Sequence, residues 1–516
     1  MTTSRPPFSF ISTAIPYVNA EPHLGYVLEA VIADSIARFR RGTGWRVHHQ
    51  AGTDDNSLKN AQAAALQGLS TRELVARNAA RFRALDEQLC LSWDAFVSTS
   101  ESDLHRRRVD EIWQRCLERG DIYQASYSGL YCVGCEQFYA ESEVQGGCCP
   151  EHGAALERIE ERNYFFRLSR YRTELVELIE SGALTIQPPT RKNEVLAFLQ
   201  TGLEDFSISR SRERARGWGL PVPGDSTQVI YVWFDALINY LSGLGDQGFA
   251  AWQQAERIDH VIGKGILRFH AVYWPALLLS AGLRPPTHVL VHGYLTVEGQ
   301  KLGKSRGNGI DPQRVTDEFG VDAVRYYLLR HIRTTRDGDY SEKRLREAYA
   351  SELADQLGNL VQRTLALVAR TRDNLIPDPP APGEREHELR SHLESVTRDV
   401  CSAFEGFALH DALESIWRLI AAANAYVDQT APWTFVELER THPRQPALDR
   451  ILYTLLDVIR AVAQLLEPFL PSTASAILVR LGHPDFATRL PKPGELRAGR
   501  RVIPGPPLFP KARRPR

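Results

Sequence analysis

FSFISTAIPYVNAEPHLGYVLEAVIADSI, residues 8–36, carries the reading that decides the fold. Phe8 to Ser12 alternates aromatic or β-branched residues with small ones, which predicts a strand. Pro16 and Pro22 break the chain, and Leu24, Val27, Leu28, Val31, Ile32 and Ile36 then recur at helical spacing, with Gly42 as the stop. The first N–H groups of a helix lack internal partners and sit at the positive end of its dipole, so a phosphate can settle there. His23 and Gly25 lie at that opening. An imidazole donates hydrogen bonds to phosphate oxygens, and glycine lets a flat ring come against the backbone. An ordinary tight turn with an exposed histidine is the plain alternative.

Further along, His288-Val289-Leu290-Val291-His292-Gly293 reads as a buried strand, followed by a glycine-dotted loop with Lys301-Leu302-Gly303-Lys304-Ser305. Two ammonium groups on a flexible loop suit a triphosphate whose charge shifts during reaction. A solvated charged loop is the usual alternative. Composition argues against it, because only eight of the 62 basic residues are Lys, and three of those stand at 264, 301 and 304.

A chain of 516 residues is too long for one core and predicts three or four domains. The net charge of -1 neither demands nor excludes nucleic acid, so any RNA contact must come from local patches such as Arg106-Arg107-Arg108. No signal peptide and no apolar run of spanning length stand out, which makes a soluble, cytoplasmic protein without membrane contact the expectation.

The strongest local signal is a cysteine cluster. Cys132-Val133-Gly134-Cys135 and Cys148-Cys149-Pro150-Glu151-His152 are spaced for a tetrahedral zinc knuckle made of Cys132, Cys135, Cys149 and His152. Four protein ligands leave no open position, so one Zn2+ would be structural. Cys148 could replace Cys149, and free thiols or a redox pair are the alternative.

Strand-like and helix-like segments alternate over residues 1–115, the cysteine-bearing stretch interrupts them over 116–225, and the α/β pattern resumes over 226–320. Within that second half, Gln228 to Asp235 and Asp259 to Ile262 read as strands. The predicted architecture is an α/β fold: a Rossmann-type parallel sheet with a zinc-knuckle insertion and the ligand at the carboxyl ends of its strands. From Asp322 onward the period is helical, through Leu357, Leu360, Val361, Leu365 and Val368, then Leu413, Ile416, Leu419 and Ile420, then Ile451, Leu455, Val458, Ile459, Val462 and Leu466. An all-α bundle follows from it.

These residues resemble the class I aminoacyl-tRNA synthetases, and within them the methionyl type, over essentially the whole chain. Pro22-His23-Leu24-Gly25-Tyr26 is similar to the first signature of that family and Lys301 to Ser305 to the second. More specific are Ala14 to Asn19, Tyr231 to Ala236 with Tyr240, Ile262-Gly263-Lys264 with Ile266 and His270, Leu357 to Arg363, and Ala431-Pro432-Trp433. The resemblance implies catalysis by His23, Tyr26, Lys301 and Lys304, and ATP binding by His23, Gly25, Lys301, Lys304 and Ser305, with Mg2+ on the triphosphate. It implies a methionine pocket of Ala14, Ile15, Tyr17, Asp54, Val232, Trp233, Ala236, Tyr240, Ile266 and His270, in which Asp54 holds the ammonium and Tyr or His addresses the sulfur. It further implies that residues 321–355 contact the tRNA stem and that 356–516 form an anticodon-binding domain reading tRNA(Met) through Asn359, Arg363 and Trp433. The chain shows no further tRNA-binding module, so a monomer is expected.

Departures from the family pattern are Tyr26 for His, Leu302 and Gly303 in the second signature, Asp55-Asn56-Ser57 after Asp54, and Gly265 for Asp. They keep two other readings in play: a paralog that makes an adenylate for a biosynthetic pathway without tRNA, and a non-catalytic tRNA-binding homologue.

Overall fold

The computed structural model describes residues 5–132, 137–139, 144, 146–149, 153–297, 299–301, 309–378, 381–484 and 489–510. The chain folds as two compact units. One comprises Met1–Glu29, Val47–Asp86 and Trp93–His292, the other Ala30–Arg46, Glu87–Ser92 and Gly293–Arg516.

The first unit is built on a six-stranded sheet of β1 (Phe8–Thr13), β2 (Arg46–Thr53), β3 (Ala95–Ser98), β4 (Thr185–Gln187), β5 (Arg257–Gly263) and β6 (His288–His292). Their order across the sheet is β3-β2-β1-β5-β6-β4. β1 runs parallel to β5 with Phe10 opposite Ile258 and Ser12 opposite His260, and β5 parallel to β6 with Val261 opposite Leu290. Every residue of β1 is buried, as expected of a central strand covered on both faces. From β1 the chain builds outward on one side through β2 and β3, and it later returns beside β1 as β5. That reversal of strand order opens a crevice at the strands' carboxyl ends. Residues 14–17, 54 and 264–270 all follow directly from strands that border or neighbour it.

The interrupting segment carries two antiparallel sheets. One pairs Ile122–Cys132 with Gln137–Tyr139 and Glu157–Phe166, with Phe206–Ser207 at the edge; the other joins Pro221–Val222, Asp225–Ile230 and Ser209–Ser211. It also returns β4 to the edge of the main sheet, parallel to β6. The expected strand from Gln228 to Asp235 is corrected: the strand ends at Ile230 and a helix runs from Val232 to Ser242. Ten of its eleven residues are buried, and the apolar run from Val229 to Phe234 continues without a break from the strand into the helix, so the run by itself does not mark where one ends and the other begins.

In the second unit, Leu295–Val297 pairs with Gln300–Lys301 and with Gly338–Tyr340. Helices then dominate: Asn359–Arg372, Glu384–Glu405, Leu409–Thr430, Gln445–Leu466 and Pro471–Arg480. The periodic residues Leu360, Val361, Leu365 and Val368, and likewise Leu413, Ile416, Leu419 and Ile420, are all at most 1% exposed. Arg325 is fully buried and is held by Asp34 at 2.7 Å and by the carbonyls of Phe469, Pro468 and Leu89. No helix among the described residues is long and apolar enough to cross a membrane.

Candidate active site

The helix Leu24–Gly42 has no acidic side chain in its first turn to oppose an incoming anion. His23 stands just ahead of it, and its carbonyl accepts the N–H groups of Tyr26 at 2.9 Å and Val27 at 3.3 Å. Its Nδ1 accepts the Gly25 N–H at 3.0 Å, so in the neutral ring the proton sits on Nε2 as a donor. A Cβ at Gly25 would come within 2.9 Å of His23 Cε1 and 3.0 Å of Nδ1. The flat ring for which this glycine makes room is therefore that of His23 itself.

Tyr26 turns inward. It is 8% exposed and meets Phe82 edge-on at 5.1 Å between ring centres. Burial, with Glu29 nearby, pushes its hydroxyl pKa well above the ordinary tyrosine value. Lys301 belongs to the second unit, where its backbone pairs with Thr296. Lys304 and Ser305 lie outside the described residues.

The expected pocket residues come together at the crevice. The Asp54 N–H donates to the Pro16 carbonyl at 2.9 Å, bridging the segment after β1 to the end of β2 next to Tyr17. Gly52 makes that approach possible, since a Cβ there would meet Val97 O at 2.3 Å and Ile15 Cγ2 at 3.0 Å. Tyr17 faces Trp233 at 6.5 Å between ring centres, and Trp233 lies edge-to-face with His270 at 6.3 Å. Trp233, Ala236 and Tyr240 share one face of the Val232–Ser242 helix, at spacings of three and four. Val232 begins that helix, while the Ala14 N–H at the end of β1 donates to the Glu29 carboxylate at 2.8 Å.

His270 sits on a π-helical turn, Phe269–Tyr273, a widened turn often found at functional sites. Its Nδ1 is 3.0 Å from the Ile266 carbonyl and its Nε2 2.7 Å from the Tyr240 hydroxyl. A carbonyl only accepts, so Nδ1 carries the proton and Tyr240 donates to Nε2. Burial lowers the His270 pKa to about 4 and, with Glu29 and Asp54 near, drives Tyr240 well up, so this arrangement is neutral at physiological pH. The two groups expected to address a sulfur are thus hydrogen-bonded to each other.

Sequence reasoning missed three members of this wall. Phe269 stacks on Trp233 at 3.7 Å between ring centres, with the planes 7° apart. His260 accepts from Trp274 Nε1 at 3.1 Å and contacts Ser12 Oγ at 2.7 Å, beneath the Tyr240 ring. A fully buried Asp259-His260 pair within an apolar strand was the available signal. Lys59 Nζ lies 4.8 Å from the centre of the Tyr17 ring.

Away from the pocket, Cys132 and Cys149 are buried in one small cluster with Tyr139, while Cys135 and His152 lie outside the described residues. In the second unit, Asn359 and Arg363 lie one turn apart on a helix that continues from the π-helical stretch Tyr349–Gly358, so Asn359 is not a cap. The Arg363 guanidinium is 5.6 Å from the centre of the Trp433 ring, and that indole is 46% exposed.

Residues 9–365 match the family model for tRNA synthetases class I (M), and residues 376–509 that for the anticodon binding domain of methionyl tRNA ligase. A methionine--tRNA ligase of Brucella suis is 38% identical, the alignment covering 97% of each chain. One of Mycobacterium tuberculosis is 40% identical over 92% of each. The solved Mycobacterium tuberculosis methionyl-tRNA synthetase in complex with methionyl-adenylate superposes with a TM-score of 0.92 at 38% identity, covering 98% of this chain and 100% of that one. With its crevice walled by Trp233, Tyr240 and His270 and a family match running through both units, the chain belongs to the class I tRNA synthetases of the methionyl type.

Proposed function

We propose that the protein is a methionine--tRNA ligase, activating L-methionine with ATP and transferring it to tRNA(Met). The observation that carries this reading is relatedness to a methionine--tRNA ligase at 38% identity over 97% of each chain. The methionine carboxylate attacks the α-phosphate of ATP, giving methionyl-adenylate and pyrophosphate. A terminal ribose hydroxyl of the tRNA then takes the acyl group and releases AMP.

Asp54 holds the ammonium of methionine, and the thioether lies against the rings of Tyr17, Trp233, Tyr240 and His270, where sulfur-aromatic contact is favourable. Ala14, Ile15, Val232, Ala236 and Ile266 complete the walls. His23 Nε2–H donates to the phosphates at the helix opening, Gly25 keeping its ring in place. Lys301 and Lys304 meet the developing charge of the leaving pyrophosphate, and Ser305 binds ATP with them. Mg2+ accompanies the triphosphate and screens its charge. No covalent enzyme intermediate is needed; positioning and charge stabilisation suffice.

Cys132, Cys135, Cys149 and His152 hold one structural Zn2+. Joint burial of Cys132 and Cys149 supports this, and Cys149 fits better than half-buried Cys148. Residues 321–355 contact the tRNA stem, and Asn359, Arg363 and Trp433 read the anticodon. The match of residues 376–509 to an anticodon binding domain favours charging of tRNA over an adenylate-forming paralog without tRNA. The protein works as a cytoplasmic monomer. The test is ATP–pyrophosphate exchange across a panel of amino acids, then charging of initiator and elongator methionine tRNAs. Methionine-dependent exchange with charging is expected; exchange without charging would sink the ligase reading.

A further inference from the structure

Asp235 lies in the first turn of the helix that presents Trp233, Ala236 and Tyr240, and it is 1% exposed. Each of its carboxylate oxygens has a partner from another part of the fold. Oδ1 is 2.6 Å from His105 Nε2, and Oδ2 accepts from Asn56 Nδ2 at 2.7 Å. His105 Nδ1 meets Ser242 Oγ at 2.9 Å, at the far end of the same helix. A serine, a histidine and an aspartate in this order have the composition of a hydrolytic relay. Here all three are buried and Ser242 Oγ donates to the Ile238 carbonyl at 3.1 Å, so the set holds a helix and presents no nucleophile.

Asn56 is two residues beyond Asp54, on a segment fixed from several directions. The Asp55 N–H donates to Thr99 Oγ1 at 2.9 Å, and the Asp55 carbonyl accepts Trp218 Nε1 and Asn60 Nδ2, both at 2.8 Å. The Asp55 carboxylate accepts Ser98 Oγ at 2.8 Å and the Ser100 N–H and hydroxyl at 3.1 and 2.9 Å. The Asp54 carbonyl accepts Asn60 Nδ2 at 3.0 Å. Such a segment is a rigid base from which the Asn56 amide reaches across to the helix.

We infer that Asn56 is a positioning residue for amino-acid recognition: through Asp235 it sets the distance between the ammonium-binding Asp54 and the aromatic wall on the Val232–Ser242 helix. This rests on the methionine pocket proposed above. Without the amide, the Asp235 carboxylate keeps its His105 contact and the helix stays joined to β2 through Gln50 Nε2, which donates to the Asn239 carbonyl at 2.9 Å and to Asn239 Oδ1 at 2.8 Å, but the tie beside Asp54, at the end of the helix that bears Trp233, is lost. ATP, which the reading places at the helix opening by His23, is not reached through that tie.

The test is steady-state pyrophosphate exchange by the full chain carrying Asn56→Ala. The KM for methionine is expected to rise about tenfold or more, the scale for losing a hydrogen bond to a charged group, with kcat and the KM for ATP within about twofold. Asn56→Asp, of equal volume but with a like charge facing Asp235, should raise it further, which keeps the test alive if the alanine variant fails to fold. Asp235→Asn combined with Asn56→Ala should give less than the product of the separate effects, because the two act through one bond. An unchanged methionine KM, equal changes in the KM for methionine and ATP, or independent effects in the double variant would each overturn the inference. Trp233→Ala separates the layers. If it leaves the methionine KM untouched the pocket reading itself fails; if it raises the KM while Asn56→Ala does not, only the positioning role fails.

Discussion

Tyr26 and Lys304 mark two kinds of change at single positions in the signatures. The Tyr26 ring is in the core against Phe82, and its hydroxyl is shielded by burial. Removing that hydroxyl while keeping the ring should therefore matter little: Tyr26→Phe is expected to retain pyrophosphate exchange within about threefold, whereas Tyr26→Ala should unsettle the helix start by opening a cavity. A large loss in the phenylalanine variant would show that the hydroxyl takes part in catalysis. Lys304 is expected to behave in the opposite way. Losing one ammonium that meets developing charge costs about a hundredfold in adenylate formation, so Lys304→Ala should show that loss in single-turnover activation. A near wild-type rate would remove it from the chemistry.

At the scale of elements, the pocket depends on neutral buried histidines. The His270 pKa is lowered from 6.5 to about 4 by burial. The unfolded chain therefore binds a proton over this range that the folded chain refuses, and stability is lost as pH falls from about 6.5 toward 4. Thermal unfolding at pH 5 against pH 8 should show a contribution of roughly 2 kcal/mol from this one group. His270→Gln, which cannot take up the proton, should show a correspondingly smaller drop. An equal drop in both proteins would place the proton uptake elsewhere. The same elements show what the sequence could and could not disclose. β1, β5 and β6 were legible because their apolar runs are bounded by proline or glycine signals. The first turn of the Val232–Ser242 helix reads as strand because the apolar run Val229 to Phe234 spans the strand end and the helix start, and β4 is hard to see because three residues carry no period at all. Glu384–Glu405 carries the same kind of signal as the other helices after Asp322, with Leu389, Leu393, Val396 and Val400 at helical spacing beneath a charged outer face. Hydrogen-bond pairings such as Tyr240 with His270 or Asn56 with Asp235 join residues 30 and 179 positions apart, and no local pattern encodes them.

Across the whole molecule, the first unit brings together Tyr17, Trp233, Tyr240 and His270, and the second presents an exposed indole with an arginine over it. An exposed indole offers a flat face on which an unpaired base can stack. The Trp433 ring follows Ala431, which adopts left-handed backbone dihedrals (φ 42°, ψ 56°), and Pro432; together they turn the chain out of the preceding helix. Arg363 reaches over the ring and lies 3.8 Å from Asp428, so the guanidinium is steadied without being buried. A base stacked on such an indole contributes about 1–3 kcal/mol, equivalent to roughly 5- to 150-fold in affinity. Trp433→Ala should therefore raise the KM for tRNA(Met) in the charging reaction by about that factor. Pyrophosphate exchange needs no tRNA, so its methionine and ATP dependence should stay as in the parent protein. If the variant charges tRNA(Met) with an unchanged KM, the indole is not a reading platform. If exchange falls together with charging, the substitution has damaged the fold, and the thermal midpoint should fall with it.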